Sequence, residues 1–187
     1  MKNKSSIRTY LLKQRQLLSD DQISVLSAQI TSNISSSPYF QQAQTIALYY
    51  PVNNEVNLLD LINQHPGKTF LLPVVNNNQS MLFKTYHPHS KLSKNKYGIA
   101  EPQAGKTINH KDIDLCLIPL VGFSRCGNRL GMGGGYYDRY FALNQFQLKA
   151  TILAGIAYDF QEDDTIPKDP WDIPLTLIYT NKEVIKP

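Results

Sequence analysis

Two apolar periods run along this chain, and the switches between them predict its elements. Ile7, Leu11 and Leu18 share one side of a 3.6-residue wheel, which predicts an amphipathic helix over about 5–18. A second helix is expected from Ser19, where "SDDQ" has the capping-box pattern, to Ser35, where "SSSP" ends it. The run "TIALYYP" (45–51) reads as a strand. In "NEVNLLDLINQ" (54–64) the apolar positions 56, 58, 59, 61 and 62 fit a further helix, stopped by "HPG". Strands follow at 68–75 and 81–87, with "NNNQS" between them as a hairpin turn. Residues 88–111 read as a long irregular connection. "IDLCLIPLVGF" (113–123) is apolar almost throughout, as suits a central strand buried on both faces. A glycine loop, a helix over about 134–145, and strands at 149–160 and 171–180 complete the chain.

Strands alternating with helices imply an α/β fold. The expectation is one domain over 1–187, a three-layer α/β/α arrangement with a largely parallel central sheet. In such sheets ligands bind beyond the carboxyl ends of the strands, and the run 113–123 delivers the glycine loop to that edge.

Composition narrows the function classes. The 187 residues carry a net charge of +4 without a dense basic run; the nearest, "KLSKNK" (91–96), reads as a solvated loop. No nucleic-acid partner is expected. No apolar run approaches the roughly 20 residues that span a bilayer, and the first residues lack the apolar centre of a signal peptide. A cytoplasmic protein without a membrane partner is therefore the expectation, and a monomer. Cys116 and Cys126 match no zinc or redox spacing; Cys116 reads as a buried thiol and Cys126 as a loop residue. The four histidines also lack a metal-binding spacing.

The chemistry concentrates in "GNRLGMGGGYYDRY" (127–140). Glycine loses much backbone freedom on folding, so a cluster needs a compensating cause, and a ligand approaching bare amides is the usual one. The loop fits neither the dinucleotide fingerprint nor the P-loop, since Tyr136 and Tyr137 stand where those patterns need other residues. Its amides can still form an anion nest, with a helix N-terminus behind them and the forked Arg129 just upstream. A tight strand-to-helix turn is the plainer alternative. Asp138 would repel phosphate unless a divalent cation lay between them; otherwise it is an ordinary acid in a first helical turn. Lys4, Arg8 and Arg15 fall within about 40° of one another on the first helix, either as a solvated face or as an edge docked beside an anion.

In this order "KSSIR", "YYPVNNEV", "YGIAEP", "PLVGFSRCGNRLGMGGGYYDRY", "GIAYDFQ" and "IPKDPWDIPLTLIYT" resemble the 5-formyltetrahydrofolate cyclo-ligase family, over nearly the whole chain. The resemblance implies an enzyme with small-molecule substrates, 5-formyltetrahydrofolate and ATP, and with Mg2+ as cofactor. The products would be 5,10-methenyltetrahydrofolate, ADP and phosphate. Carried over by position, it implies Lys4, Arg8, Arg129, Gly131, Met132, Gly133, Gly134, Gly135, Tyr136, Tyr137, Asp138 and Arg139 around ATP. It places Tyr50 and Glu55 at the folate and Asp138 and Asp172 at the metal. Glu55 and Arg129 are the catalytic candidates. By residue type alone Glu55 is equally a first-turn helix acid, and Asp172 a turn residue. The chain departs from the family pattern at Ser124, Asn57 and Thr176, where many members have acids. A non-catalytic folate- or nucleotide-binding module on the same scaffold is the alternative reading.

Overall fold

The computed structural model describes residues 3–76, 80–142 and 151–187. Helix α1 (Lys4–Gln16) is capped by the Asn3 side chain. Helix α2 (Asp20–Ser35) starts with the expected capping box: the Ser19 hydroxyl accepts from the Gln22 N–H, and the Gln22 side chain accepts from the Ser19 N–H. The short α3 (Pro38–Gln42) leads into β1 (Thr45–Ala47), followed by α4 (Asp60–Gln64), β2 (Thr69–Val75) and β3 (Met81–Tyr86). Within 88–111 the chain forms β4 (Leu92–Lys94) and β5 (Ala100–Pro102), paired as a ribbon, and β6 (Thr107–Ile108). Then come β7 (Leu115–Pro119), β8 (Gly122–Phe123), β9 (Arg129–Leu130), α5 (Tyr136–Ala142), β10 (Ile152–Ile156), β11 (Leu177–Tyr179) and β12 (Val184–Ile185).

Eight strands form the central sheet in the order β12-β11-β10-β7-β1-β2-β3-β6. The run from β11 to β2 is parallel; β12, β3 and β6 add antiparallel edges. Successive residues of a strand face opposite sides. Leu115 and Leu117 therefore join Ile30, Ile34 and Phe40 of the α2–α3 layer, while Cys116 and Ile118 join Phe141 of α5. The expected α/β class with helices on both faces is borne out. Cys116 is buried, which pushes its thiol up, and Cys126 is exposed.

Four element boundaries need correction. The run 113–123 is not one strand. Its apolar residues serve two places: 115–119 fill the sheet, while Val121 packs with Ile7, Leu11, Leu130 and Ile166 in a small core under α1. Gly122 makes that turn-off possible, because a Cβ there would stand 2.5 Å from Leu11 Cδ1. The expected helix 54–64 shortens to α4, because Asn53 and Asn54 both take left-handed backbone (φ 50° and 60°) and 55–58 form no regular element. The last strand pairs only from Leu177. Ile173 and Leu175 are buried, but Leu175 N–H donates to the Gly127 carbonyl rather than to the sheet. The helix expected from 134 begins at Tyr136; its stretch 143–145 lies outside the described residues, as do 149–150 of the expected strand and 77–79 of the expected turn.

β1 has β2 on one side and β7 on the other, so the strand order reverses between β1 and β7. That is where a parallel sheet opens a crevice at its carboxyl edge. The loop after β1 carries Tyr49, Tyr50 and Glu55, and the chain after β7 leads to the glycine loop.

Candidate active site

A cleft of about 1120 Å³ lies over this switch point. Small-molecule pockets run to roughly 300–1,000 Å³, so the cleft lies just above the large end of that range. It brings together all the candidate residues read from the sequence: Lys4 and Arg8 from α1, Tyr50 and Glu55 after β1, the segment 129–139, and Asp172.

Arg129 is buried at 7% exposure. Its Nη2 donates to Asp138 Oδ1, its guanidinium lies over the Tyr137 ring at 5.9 Å, and its Nη1 is buried with no hydrogen-bond partner among the described residues. An orphaned donor on a buried cation is costly, and such groups call for an acceptor. Asp138 Oδ1 also accepts from the Ile173 N–H at 3.1 Å, tying the loop to the segment that carries Asp172.

The glycine loop is held open by specific contacts. Arg8 Nε donates to the Gly131 carbonyl at 2.8 Å, and Arg139 Nη2 to the Gly134 carbonyl at 2.8 Å. Gly133 (φ 95°) and Gly135 (φ 63°) occupy backbone that side chains rarely adopt, so the turn itself requires glycine at both. Gly131 differs. Its φ is ordinary and a Cβ would meet nothing within 4 Å, so the fold gives no reason for glycine there. Bare backbone facing a cleft is what a closely approaching ligand needs.

Lys4 does not stand free. Its ammonium bonds Asp169 Oδ2 at 2.7 Å and also Asp172 Oδ2, while Asp172 Oδ2 accepts from the Asp169 N–H. Burial works to lower the Lys4 pKa, but the two carboxylates outweigh it and hold it above its ordinary value. The N-terminal stripe is thus no solvated face. Lys4 and Arg8 enter the cleft, and Arg15 is 1% exposed.

At the other end, Glu55 Oε2 accepts from the Val52 N–H at 3.1 Å, and Oε1 lies 3.8 Å from Arg15 Nη2. Burial raises the Glu55 carboxyl above its usual range, against the opposing pull of Arg15 and the Val52 N–H. Tyr49 is buried and donates to the Val56 carbonyl at 2.8 Å; Tyr50 is half-buried and lines the cleft beside it. Tyr97, between β4 and β5, reaches across to the glycine loop, its hydroxyl 2.7 Å from that of Tyr136. Met132 and Trp171 are exposed on the rim.

Three of these partners are missed by pattern reading. Arg15 looks like one more cation of a polar stripe. Asp169 has a signal only in hindsight, as an acid three residues before Asp172 in a turn. Tyr97 lies in a segment that reads as irregular. Two of the departures from the family pattern are locally absorbed. Ser124 is buried with its Oγ accepting from the Asn128 N–H at 3.3 Å, and Asn57 Oδ1 accepts from the Leu59 N–H at 3.0 Å.

The cleft also holds two aspartates that are the candidate metal ligands. Asp138 and Asp172 line one cleft, yet among the described residues no group of three or more His, Cys, Asp or Glu side chains could hold an ion alone. The two carboxylates are oxygen donors of the kind magnesium takes together with substrate oxygens, and in this structure Arg129 is bonded to Asp138 and Lys4 to Asp172. Among the described residues no helix is long and apolar enough to cross a membrane.

Comparison with known proteins adds the family. A model of the 5-formyltetrahydrofolate cyclo-ligase family matches residues 1–181. The 5-formyltetrahydrofolate cyclo-ligase of Haemophilus influenzae is 34% identical, over 92% of this chain and 94% of that one. The Escherichia coli cyclo-ligase is 33% identical, over 92% and 97%. Among solved structures, the Aquifex aeolicus 5,10-methenyltetrahydrofolate synthetase superposes with a TM-score of 0.86 at 35% identity, covering 98% of this chain and 92% of that one. With the glycine loop, the cleft and the relatives in agreement along almost its entire length, the chain belongs to the 5-formyltetrahydrofolate cyclo-ligase family of enzymes.

Proposed function

We propose that this enzyme closes 5-formyltetrahydrofolate to 5,10-methenyltetrahydrofolate at the expense of ATP, releasing ADP and phosphate. The observation that carries the reading is Arg129 Nη1: a buried, partnerless donor in a side chain lining a glycine-rich loop with bare backbone at Gly131. A polyphosphate oxygen supplies the acceptor that the protein does not.

The formyl oxygen is a poor leaving group until it is phosphorylated. In the proposed sequence the γ-phosphoryl group passes from ATP to that oxygen, N10 bonds to the formyl carbon, and the C–O bond breaks to release phosphate. N10 gives up its proton as the ring closes. Such chemistry asks the protein chiefly for alignment and charge neutralisation. The amides of 131–137 and Arg129 bind the terminal phosphates, with Arg8 bracing the loop through the Gly131 carbonyl. Arg139 braces it through the Gly134 carbonyl. Lys4, already held by two acids, contributes its charge at the same end. Asp138 and Asp172 would hold a magnesium ion, whose charge would screen the phosphate oxygens. Glu55, beside Tyr49 and Tyr50, faces the folate and accepts a hydrogen bond from N10–H or the pteridine, which orients the ring for closure.

The direct test is methenyltetrahydrofolate absorbance on mixing the pure protein with 5-formyltetrahydrofolate, ATP and magnesium. Growth that stops when either ATP or magnesium is withheld is expected. Tight folate binding with no product would favour the non-catalytic module instead. Gly131→Ala gives a finer test. Since the fold tolerates a Cβ there, the melting temperature should stay within about 2 °C of the unaltered protein, while the KM for ATP rises. An unchanged ATP requirement would contradict backbone recognition at that position.

A further inference from the structure

We infer that Arg15 is a positioning residue for the reaction: its buried guanidinium pins the loop carrying Glu55 and keeps that carboxylate charged and oriented toward the folate half of the cleft. The inference rests on the ring-closure reading above.

Arg15 joins the two loops that create the cleft. Its Nε donates to the Asn53 carbonyl at 2.9 Å, in the loop after β1, and its Nη1 to the Leu120 carbonyl at 3.3 Å, in the chain leaving β7. One side chain on α1 therefore spans the reversal point of the sheet. Further bonds fix the same loop. Asn54 Nδ2 donates to the carbonyls of Arg15 (3.2 Å) and Leu18 (3.3 Å), and the Tyr158 hydroxyl donates to the Asn54 carbonyl at 3.1 Å. Two consecutive non-glycine residues in left-handed backbone persist only when their surroundings over-determine them, and such strain gathers at functional sites.

Stability alone does not account for Arg15. A buried ion pair is seldom better than apolar side chains of similar volume, and this one is not even a hydrogen bond. Among the described residues Nη2 has no hydrogen-bond partner, and its 3.8 Å separation from Glu55 Oε1 is beyond hydrogen-bond reach. Beyond its two backbone hydrogen bonds, what Arg15 offers Glu55 is charge. The other titratable groups facing Glu55 are Tyr49, Tyr137 and Tyr158, whose hydroxyls burial holds above the ordinary tyrosine value, so they stay neutral. Arg15 is the cation that opposes the rise of the Glu55 carboxyl on burial.

The sign follows. A Glu55 that must be ionised supports folate binding above its pKa and loses it as pH falls. Removing the Arg15 charge raises that pKa further, so the acid limb moves to higher pH. The experiment records kcat/KM for 5-formyltetrahydrofolate against pH, and 5-formyltetrahydrofolate binding without ATP against pH, on the full chain. Arg15→Met is expected to move the acid limb up by about one to two units, the usual reach of an adjacent opposite charge, and to raise the folate KM while the ATP KM holds. In a Glu55→Gln background the same change should move nothing further. An unmoved limb with only a lowered melting temperature would overturn the inference. If Arg15→Met does not fold, Arg15→Lys decides: it keeps the charge but loses the fork. An unmoved acid limb with a raised folate KM is then expected, and an unchanged folate KM overturns the inference. Absence of turnover by the unaltered enzyme would instead overturn the ring-closure reading, and the ATP-free binding titration would still judge Arg15.

Discussion

Arg129→Lys is expected to lower kcat/KM for ATP by about a hundredfold or more, the size seen when one preorganised donor is removed from a transition state. The guanidinium serves three directions at once: Nη2 to Asp138, its face over the Tyr137 ring, and Nη1 with no protein acceptor. Lysine keeps the charge but presents it as a point on a flexible stem and cannot hold two divergent bonds in fixed geometry. It can retain the Asp138 contact or meet a phosphate oxygen, not both. Because the charge pair survives, most of the fold's stability should survive with it. Steady-state kinetics with each substrate varied in turn checks this outcome. A loss confined to the folate KM, or a fall in melting temperature without a kinetic effect, would mean that Arg129 only supports the β8–β9 ribbon.

Asp138→Asn is the second large effect. Asparagine is nearly isosteric, and its carbonyl oxygen can still accept from the Ile173 N–H and from Arg129, so the local structure should hold. What disappears is one negative charge at the glycine-loop end of the cleft. Turnover is expected to drop by about two to three orders of magnitude, with a smaller loss of folate affinity, since the proposed folate contacts, Glu55 and Tyr50, line the cleft from the loop after β1. The magnesium concentration for half-maximal rate should rise at the same time. Rate measurements across a magnesium titration decide the point; a curve identical to that of the unaltered enzyme would remove Asp138 from the metal site.

Much of the architecture was legible in the residue pattern, because burial period and capping are local signals. The Ser19–Gln22 box marked the start of α2 to within a residue, and the alternation of apolar runs with amphipathic helices implied the α/β class. Boundaries failed where an apolar residue had another place to be buried. Val121 and Ile173 look like continuing strand, but each packs away from the pairing edge of the sheet, against α1 in the first case and beside α5 in the second. Nor does periodicity register a pair of left-handed asparagines, which is why the helix expected from 54 begins only at Asp60.

The site divides along similar lines. Glycine content, a nearby arginine and an adjacent carboxylate singled out 127–140 without any structure, since clustered glycines cost folding free energy and bare amides beside an arginine can hold an anion. The partners that fix them are distant in sequence. Lys4 meets Asp169 and Asp172 across 165 and 168 positions, and Arg15 meets the Glu55 loop across 38. Pairings of that range depend on how α1 lies across the switch point, and only the three-dimensional arrangement discloses them.

The most direct test is a structure of the protein with magnesium and a non-hydrolysable ATP analogue. The terminal phosphate should lie within about 3.2 Å of Arg129 Nη1 and of amides in 131–137, with the metal between it and Asp138. A triphosphate bound elsewhere on the chain, leaving Arg129 Nη1 without an acceptor, would contradict the account.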